Sequence, residues 1–298
     1  MKLNLVYRYV LALSMLQLAA CIGPKASFDF KQTEEVAPSE VSFKNTSERS
    51  ETYIWDFGDG DTSEEVSPSH RYTRSGQYNV TLKAVKGNKT DIMNEGLEVK
   101  APKACLVEVT TEMGKMLIEL YNDTPLHRDN FLKLAEEGYF DGLIFHRVID
   151  GFMIQGGDPN SREALPGAML GSGGPGYQVD AEFNDHLVHL KGALAAARTG
   201  GPMNPEKKSS GSQFYIVQGG PVSAQMLDMI EVRNGIEYSP EQREKYEELG
   251  GTPQLDMEYT VFGRVVEGLD VIDKIASVRT DGRDRPEENV TMNVEVIK

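Results

Sequence analysis

The run Phe145-His146-Arg147-Val148-Ile149-Asp150-Gly151-Phe152-Met153-Ile154-Gln155-Gly156-Gly157-Asp158 decides how the rest of the chain is read. Residue by residue it is ordinary: Phe152 and Met153 alone would be core packing, and Arg147 a surface cation. Its weight comes from four further segments that follow in order. They are Gly171-Ser172-Gly173-Gly174-Pro175-Gly176-Tyr177, Gly192-Ala193-Leu194-Ala195-Ala196-Ala197-Arg198, Gly211-Ser212-Gln213-Phe214-Tyr215-Ile216 and Tyr259-Thr260-Val261-Phe262-Gly263. Upstream, Leu106 to Val109 and Met116 to Leu120 are strand-like runs on either side of Met113-Gly114, the pattern of a hairpin. A helix is predicted next, with Thr124 as cap, Pro125 at its first position, Phe131, Leu134 and Ala135 on one face, and Gly138 at its end. A second helix is predicted from Ser239-Pro240-Glu241-Gln242, a capping-box pattern, and is closed by Gly250-Gly251. Patterning alone gives only a mixture of strands and helices.

The five segments, in this order, resemble those of the cyclophilins, and the likeness runs from about Cys105 to Lys298. It implies a mostly β fold over residues 104–298: a closed antiparallel barrel of eight strands capped by two helices. It also implies peptidyl-prolyl cis/trans isomerase activity on proline-containing polypeptides, without metal, nucleotide or other cofactor. The resemblance gives Arg147 the catalytic task. Phe152, Met153, Tyr215 and Leu255 match the family's proline pocket, Gln155 and Gln213 match the groups that hold the substrate backbone, and the main chain at Arg198 matches the substrate-binding edge. His146 and Phe214 are expected to brace this site, and Tyr259 to form one wall. Gln254 stands where the family frequently has tryptophan and Tyr259 where histidine is common; the first bears on tight cyclosporin binding rather than on catalysis. An inserted stretch, about 222–253, contains the second predicted helix. It is expected to overhang the site and narrow substrate choice.

The reaction explains why these residue types suffice. Rotation about a prolyl peptide bond faces a barrier of about 18–20 kcal/mol because the twisted amide loses resonance, yet no bond is broken. Each tenfold acceleration needs about 1.4 kcal/mol of preferential binding to the twisted state. As resonance is lost, the prolyl nitrogen regains a lone pair that can accept a hydrogen bond. An arginine offers a planar, multi-donor cation for it, and an apolar pocket that excludes water strengthens the contact. The alternative is a cyclophilin-like chaperone or proline-segment binding module with little catalysis. Such a binder has no evident need for Arg147, Phe152, Met153 and Gln213 together.

Residues 41–99 show short alternating runs, clearest at Tyr78-Asn79-Val80-Thr81-Leu82-Lys83-Ala84, separated by Gly, Asp, Ser and Pro clusters. Trp55-Asp56-Phe57-Gly58-Asp59-Gly60, then Ser67-Pro68-Ser69-His70-Arg71-Tyr72 and Gly76-Gln77-Tyr78, resemble the PKD domain. That resemblance implies an immunoglobulin-like β-sandwich over 40–101, with Trp55 and Tyr78 in its core and the Gly-Asp run in a tight turn. Such domains are spacers or interaction modules. Asp56, Asp59 and Asp61 lack the spacing of an EF-hand loop and read as turn residues rather than calcium ligands.

The first 21 residues have the parts of an export signal: Lys2 and Arg8, an apolar stretch from Val10 to Leu18, then Ala19, Ala20 and Cys21. That stretch is shorter than the roughly 20 apolar residues a span needs. Leu18-Ala19-Ala20-Cys21 resembles the lipobox of bacterial lipoproteins, which implies lipidation at Cys21 and a membrane-anchored place in the bacterial cell envelope, on its periplasmic or surface face. Residues 22–39 are polar and read as a tether. With 298 residues, 39% hydrophobic, the chain has material for two folded domains, and it is expected to be a monomer. A net charge of -15 and a pI near 4.9 exclude nucleic acid as a natural partner. No structural disulfide is expected between Cys21 and Cys105.

Three weaker patterns are set aside. Gly171, Gly173 and Gly176 have dinucleotide-loop spacing, but Pro175 and the missing strand-to-helix context argue against a phosphate cradle. His186 and His189 lack further metal ligands. Ser209, Ser210 and Ser212 have no matching histidine and acid for hydrolysis.

Overall fold

The computed structural model describes residues 23–73, 75–100 and 103–297, so the predicted signal and Cys21 lie outside the described residues. The chain divides into two units, one ending at residue 102 and the other running from Lys103 to Ile297.

The first unit contains β1 (Phe28–Gln32), β2 (Ser39–Asn45), β3 (Thr52–Asp56), β4 (Thr62–Ser63), β5 (Ser69–Tyr72), β6 (Gly76–Lys86) and β7 (Lys89–Val99). They form two antiparallel sheets, ordered β1-β2-β5 and β4-β3-β6-β7. The sheets meet on aromatic rings: Trp55 of β3 is fully buried, 5.1 Å from Phe28 and 5.4 Å from Phe43 across the interface. The predicted tether is thereby corrected. Phe28–Gln32 pairs with β2 because burying Phe28 against Trp55 outweighs the polar character of its neighbours. Tyr78 is a second correction, since it is only half-buried at the start of β6. Tyr72 holds the interior position instead, and its hydroxyl donates to the Phe57 carbonyl at 2.9 Å. In the Gly-Asp turn, Gly58 has φ +82°, and a Cβ there would lie 3.0 Å from the Asn79 backbone. Asp56 and Asp59 each accept a backbone N–H two residues on, from Gly58 and Asp61.

The second unit contains β8 (Cys105–Thr111), β9 (Gly114–Leu120), α1 (Pro125–Glu136), β10 (Leu143–Ile144), β11 (Arg147–Ile149), β12 (Met153–Gly156), β13 (Gln178–Val179), β14 (Ala193–Ala196), β15 (Ser209–Ser210), β16 (Phe214–Val217), α2 (Ala224–Asn234), α3 (Pro240–Leu249), β17 (Val261–Glu267), α4 (Leu269–Ala276) and β18 (Thr291–Ile297). Nine strands make one antiparallel sheet in the order β10-β18-β8-β9-β17-β14-β16-β12-β11, and β13 pairs with β15 apart from it. The outermost strands, β10 and β11, are separated in the chain only by Phe145 and His146, so the sheet curls until its edges approach at that corner. Among the described residues no ladder joins those edges, which departs from the closed eight-stranded barrel expected. The ninth strand arises because the corner divides one run into two short ones.

Helix α1 packs on β17 and β18, and α4 on β9, β11 and β12. Phe131, Leu134 and Ala135 of α1 and Val271, Ile272 and Ile275 of α4 enter one core with Ile154, Leu194 and Phe214. Thr124 occupies the cap position of α1 without a capping hydrogen bond. The Glu182 carboxylate does that work, accepting the backbone N–H groups of Leu126 and His127 at 3.0 Å each.

The insertion holds two helices rather than one. Helix α3 begins with the predicted capping box, Ser239 and Gln242 each accepting the other's backbone N–H. Ser239→Ala is expected to cost about 1 kcal/mol, read as a lower urea midpoint of this unit. Helix α2, not predicted, is capped by Ser223 and ends at Gly235 with φ +65°. Leu227, Ile230, Tyr238 and Tyr246 pack together against Val188 and Leu190.

Candidate active site

Strand alternation creates the site. Arg147 pairs with Gln155, Gln155 with Tyr215, and Tyr215 with Ala195, one row across β11, β12, β16 and β14. Side chains two residues apart share a face of a strand. One face therefore carries Met153, Tyr215, Val217, Ala193 and Ala195, which cluster outside the curl, while Ile154, Phe214, Ile216, Leu194 and Ala196 fill its interior. The alanines leave room on the outer face, and a cavity of about 470 Å³ occupies it.

His146, Arg147, Phe152, Met153, Gln155, Arg198, Tyr215, Leu255 and Tyr259 all line this cavity. Met153 and Tyr215 are buried; Phe152, Leu255 and Tyr259 are half-buried around them. Arg147 is 43% exposed, and its Nε lies 3.5 Å from Asp284. The guanidinium lines the cavity and is ion-paired through Nε with Asp284. Gln155 donates to Gln213 at 3.1 Å, and Gln213 donates onward to the Gly173 carbonyl at 2.8 Å. Gln213 lines an adjoining groove with Gln155, Ala197 and Arg198.

Phe214 does not belong to the cavity. It lies between Gln213 and Tyr215 in a strand, so its ring points to the interior core, 5.4 Å from Phe131. The Arg198 side chain is committed elsewhere: it donates to the carbonyl and carboxylate of Glu258 at 2.8 and 2.9 Å, and its guanidinium lies 4.6 Å from the centre of the Tyr259 ring. The Arg198 backbone has no hydrogen-bond partner among the described residues.

His146 is buried, and neither ring nitrogen has a partner among the described residues. Burial, helped by Arg147 and Arg285 and opposed by Asp158, pushes its pKa down to about 4, so the ring is neutral near pH 7. Asp158, fully buried, accepts the amides of Gly171 and Gly173 and ties that loop beside His146. Those two amides thus serve an internal carboxylate, consistent with setting aside a phosphate cradle.

Several lining residues carry no motif: Ala168, Met169, Leu170, Asp281, Arg283 and Arg285. Arg285 is buried and donates to the carbonyls of Ala164, Leu165 and Ala168, fastening the Met169 loop to the rim. A buried arginine needs such acceptors, but the sequence does not say where they are. Among the described residues, none between 222 and 253 lines the cavity. The expected overhang is therefore corrected: the insertion spends its apolar faces on Val188 and Leu190, behind the pocket wall.

A model of the cyclophilin type peptidyl-prolyl cis-trans isomerase family matches residues 106–296, and a PKD domain model matches residues 23–99. The chain belongs to the cyclophilin-type peptidyl-prolyl cis-trans isomerase family and carries a PKD domain ahead of that region. A Staphylococcus saprophyticus protein named for peptidyl-prolyl cis-trans isomerase activity is 36% identical over 191 residues, covering 63% of this chain and 89% of that protein. A Streptococcus pyogenes protein named for both phosphatase and isomerase activities is 41% identical over 187 residues, or 62% of this chain. The match spans only 37% of that relative's length. A crystal structure of a Cryptosporidium parvum cyclophilin type peptidyl-prolyl cis-trans isomerase is 24% identical, with a TM-score of 0.48, covering 65% of this chain and 98% of that one.

Proposed function

We propose that the chain isomerises prolyl bonds in exported proteins, with Arg147 donating to the prolyl nitrogen as the amide twists. The ring sits against Phe152, Met153, Tyr215 and Leu255, while Gln155, Gln213 and the backbone at Arg198 hold the flanking peptide. The observation that carries this reading is that the guanidinium of Arg147, whose Nε pairs with Asp284, lines the same cavity as the apolar wall. A direct assay on a cis-proline peptide tests it, with Arg147→Ala as the control. Peptide binding without isomerisation would favour the chaperone reading instead.

The place of action rests on the sequence Leu18-Ala19-Ala20-Cys21. Acylation there tethers the enzyme to the membrane of the cell envelope, since more than one acyl chain gives stable attachment. Metabolic labelling with a fatty acid tests this reading: label should enter the wild type and be absent from Cys21→Ala. The PKD domain then serves as a spacer or recruits clients, and client binding by the full chain before and after its removal separates these roles.

A further inference from the structure

A continuous set of buried polar groups connects the insertion to the wall of the proline cavity. Tyr215 is 3% exposed, and its hydroxyl lies 2.9 Å from His189 Nε2. Behind it, the backbone N–H and Nδ1 of His189 lie 2.8 and 2.7 Å from Asp256 Oδ1. The other carboxylate oxygen accepts the hydroxyls of Tyr246 at 2.6 Å and Tyr238 at 2.7 Å. Both of these tyrosines belong to the insertion, Tyr238 just before α3 and Tyr246 within it. All five residues are buried, so none can exchange a lost partner for bulk water.

The chemistry of each group fixes its neighbour. A carboxylate only accepts, so Nδ1 of His189 carries a proton and Nε2 is aimed at the Tyr215 hydroxyl. The two rings lie within 13° of parallel. Asp256 also follows Leu255 directly in the chain, and Leu255 lines the same cavity. One carboxylate thus holds two walls, Tyr215 through His189 and Leu255 through the backbone. A tyrosine set among Met153, Ala195 and Val217 needs a partner for its hydroxyl, and this network supplies it.

We infer that His189, Asp256, Tyr238 and Tyr246 are positioning residues for the proline cavity, and that the insertion governs substrate affinity from behind the pocket. This rests on reading the cavity as the site that holds the proline ring. The wall grips that ring in the planar and twisted amide alike, so loosening it weakens ground state and transition state together. The signature is a raised KM with little change in kcat.

In the full chain, Tyr238→Phe with Tyr246→Phe keeps both rings and removes two donors from Asp256. Kd and KM for an Ala-Pro peptide are expected to rise about fivefold, with kcat within about twofold of wild type. Tyr215→Phe should raise Kd similarly, and adding Tyr246→Phe to it should change Kd by less than about twofold, because the wall is already released. A lowered melting temperature with Kd unchanged would overturn the inference, as would effects of Tyr215→Phe and Tyr246→Phe that simply multiply. If the double tyrosine variant does not fold, Tyr246→Phe alone carries the same comparison. Kd is read by titrating the peptide directly, which keeps the two readings apart. A wild type that binds the peptide without isomerising it defeats the proposed activity and leaves the network comparison intact; one that binds no proline peptide defeats both.

Discussion

Arg147→Ala is expected to lower kcat for a cis-proline peptide about a hundredfold while leaving Kd for the peptide within a few-fold of wild type. In the planar amide the prolyl nitrogen has no free lone pair, so the guanidinium has nothing to bond there. Its hydrogen bond forms only as the amide twists, and an interaction confined to the transition state appears in kcat. Removing one such donor typically costs about 2.7–4 kcal/mol, which is 10²–10³ in rate. The 43% exposure of Arg147 places it at the lower end of that range, because nearby water screens the contact. Arg147→Lys keeps the charge but replaces a planar fork with a point donor, and should recover about a tenth of the wild-type rate. A rate for Arg147→Ala within threefold of wild type, in a variant whose circular dichroism is unchanged, would refute the assignment.

The sequence was most informative where local chemistry and position coincide. The Phe145–Asp158 run contains a strand, a turn at Gly151 and a second strand, so Arg147 and Gln155 are brought face to face by hairpin geometry alone. The capping box at Ser239 is equally local, and it forms as read. Phe214 shows where a motif misleads: neighbours in a strand cannot share a face, and alternation already separates it from Gln213 and Tyr215. The strand Phe28–Gln32 was hidden by charges around two alternating aromatic residues, and α2 by having only Leu227 and Ile230 buried. The Arg285 staple and the Tyr215–His189–Asp256 connection could not be read at all. Each joins segments distant in the chain, and only the curl of the sheet brings them together.

Lowering the pH from about 6.5 to 4 is expected to remove roughly 3 kcal/mol of stability from the isomerase unit through His146. Its folded-state pKa is held at about 4, chiefly by burial, with Arg147 and Arg285 adding repulsion against Asp158's attraction. The unfolded chain protonates this imidazole near pH 6.5, while the folded chain does so only near 4. Between those values the unfolded state binds more protons, so stability falls as the pH falls; above 6.5 the ring is neutral in both states and the contribution is flat. His146→Asn keeps a polar, non-titrating side chain and should flatten the pH dependence over this window by the same amount. Trp55, the chain's single tryptophan, lies in the other unit, so its fluorescence is blind to this change. Amide exchange in β12 and β16, followed against urea at each pH, reads the isomerase unit directly. Identical pH profiles for the wild type and His146→Asn would show that the buried ring is not the group that limits stability in acid.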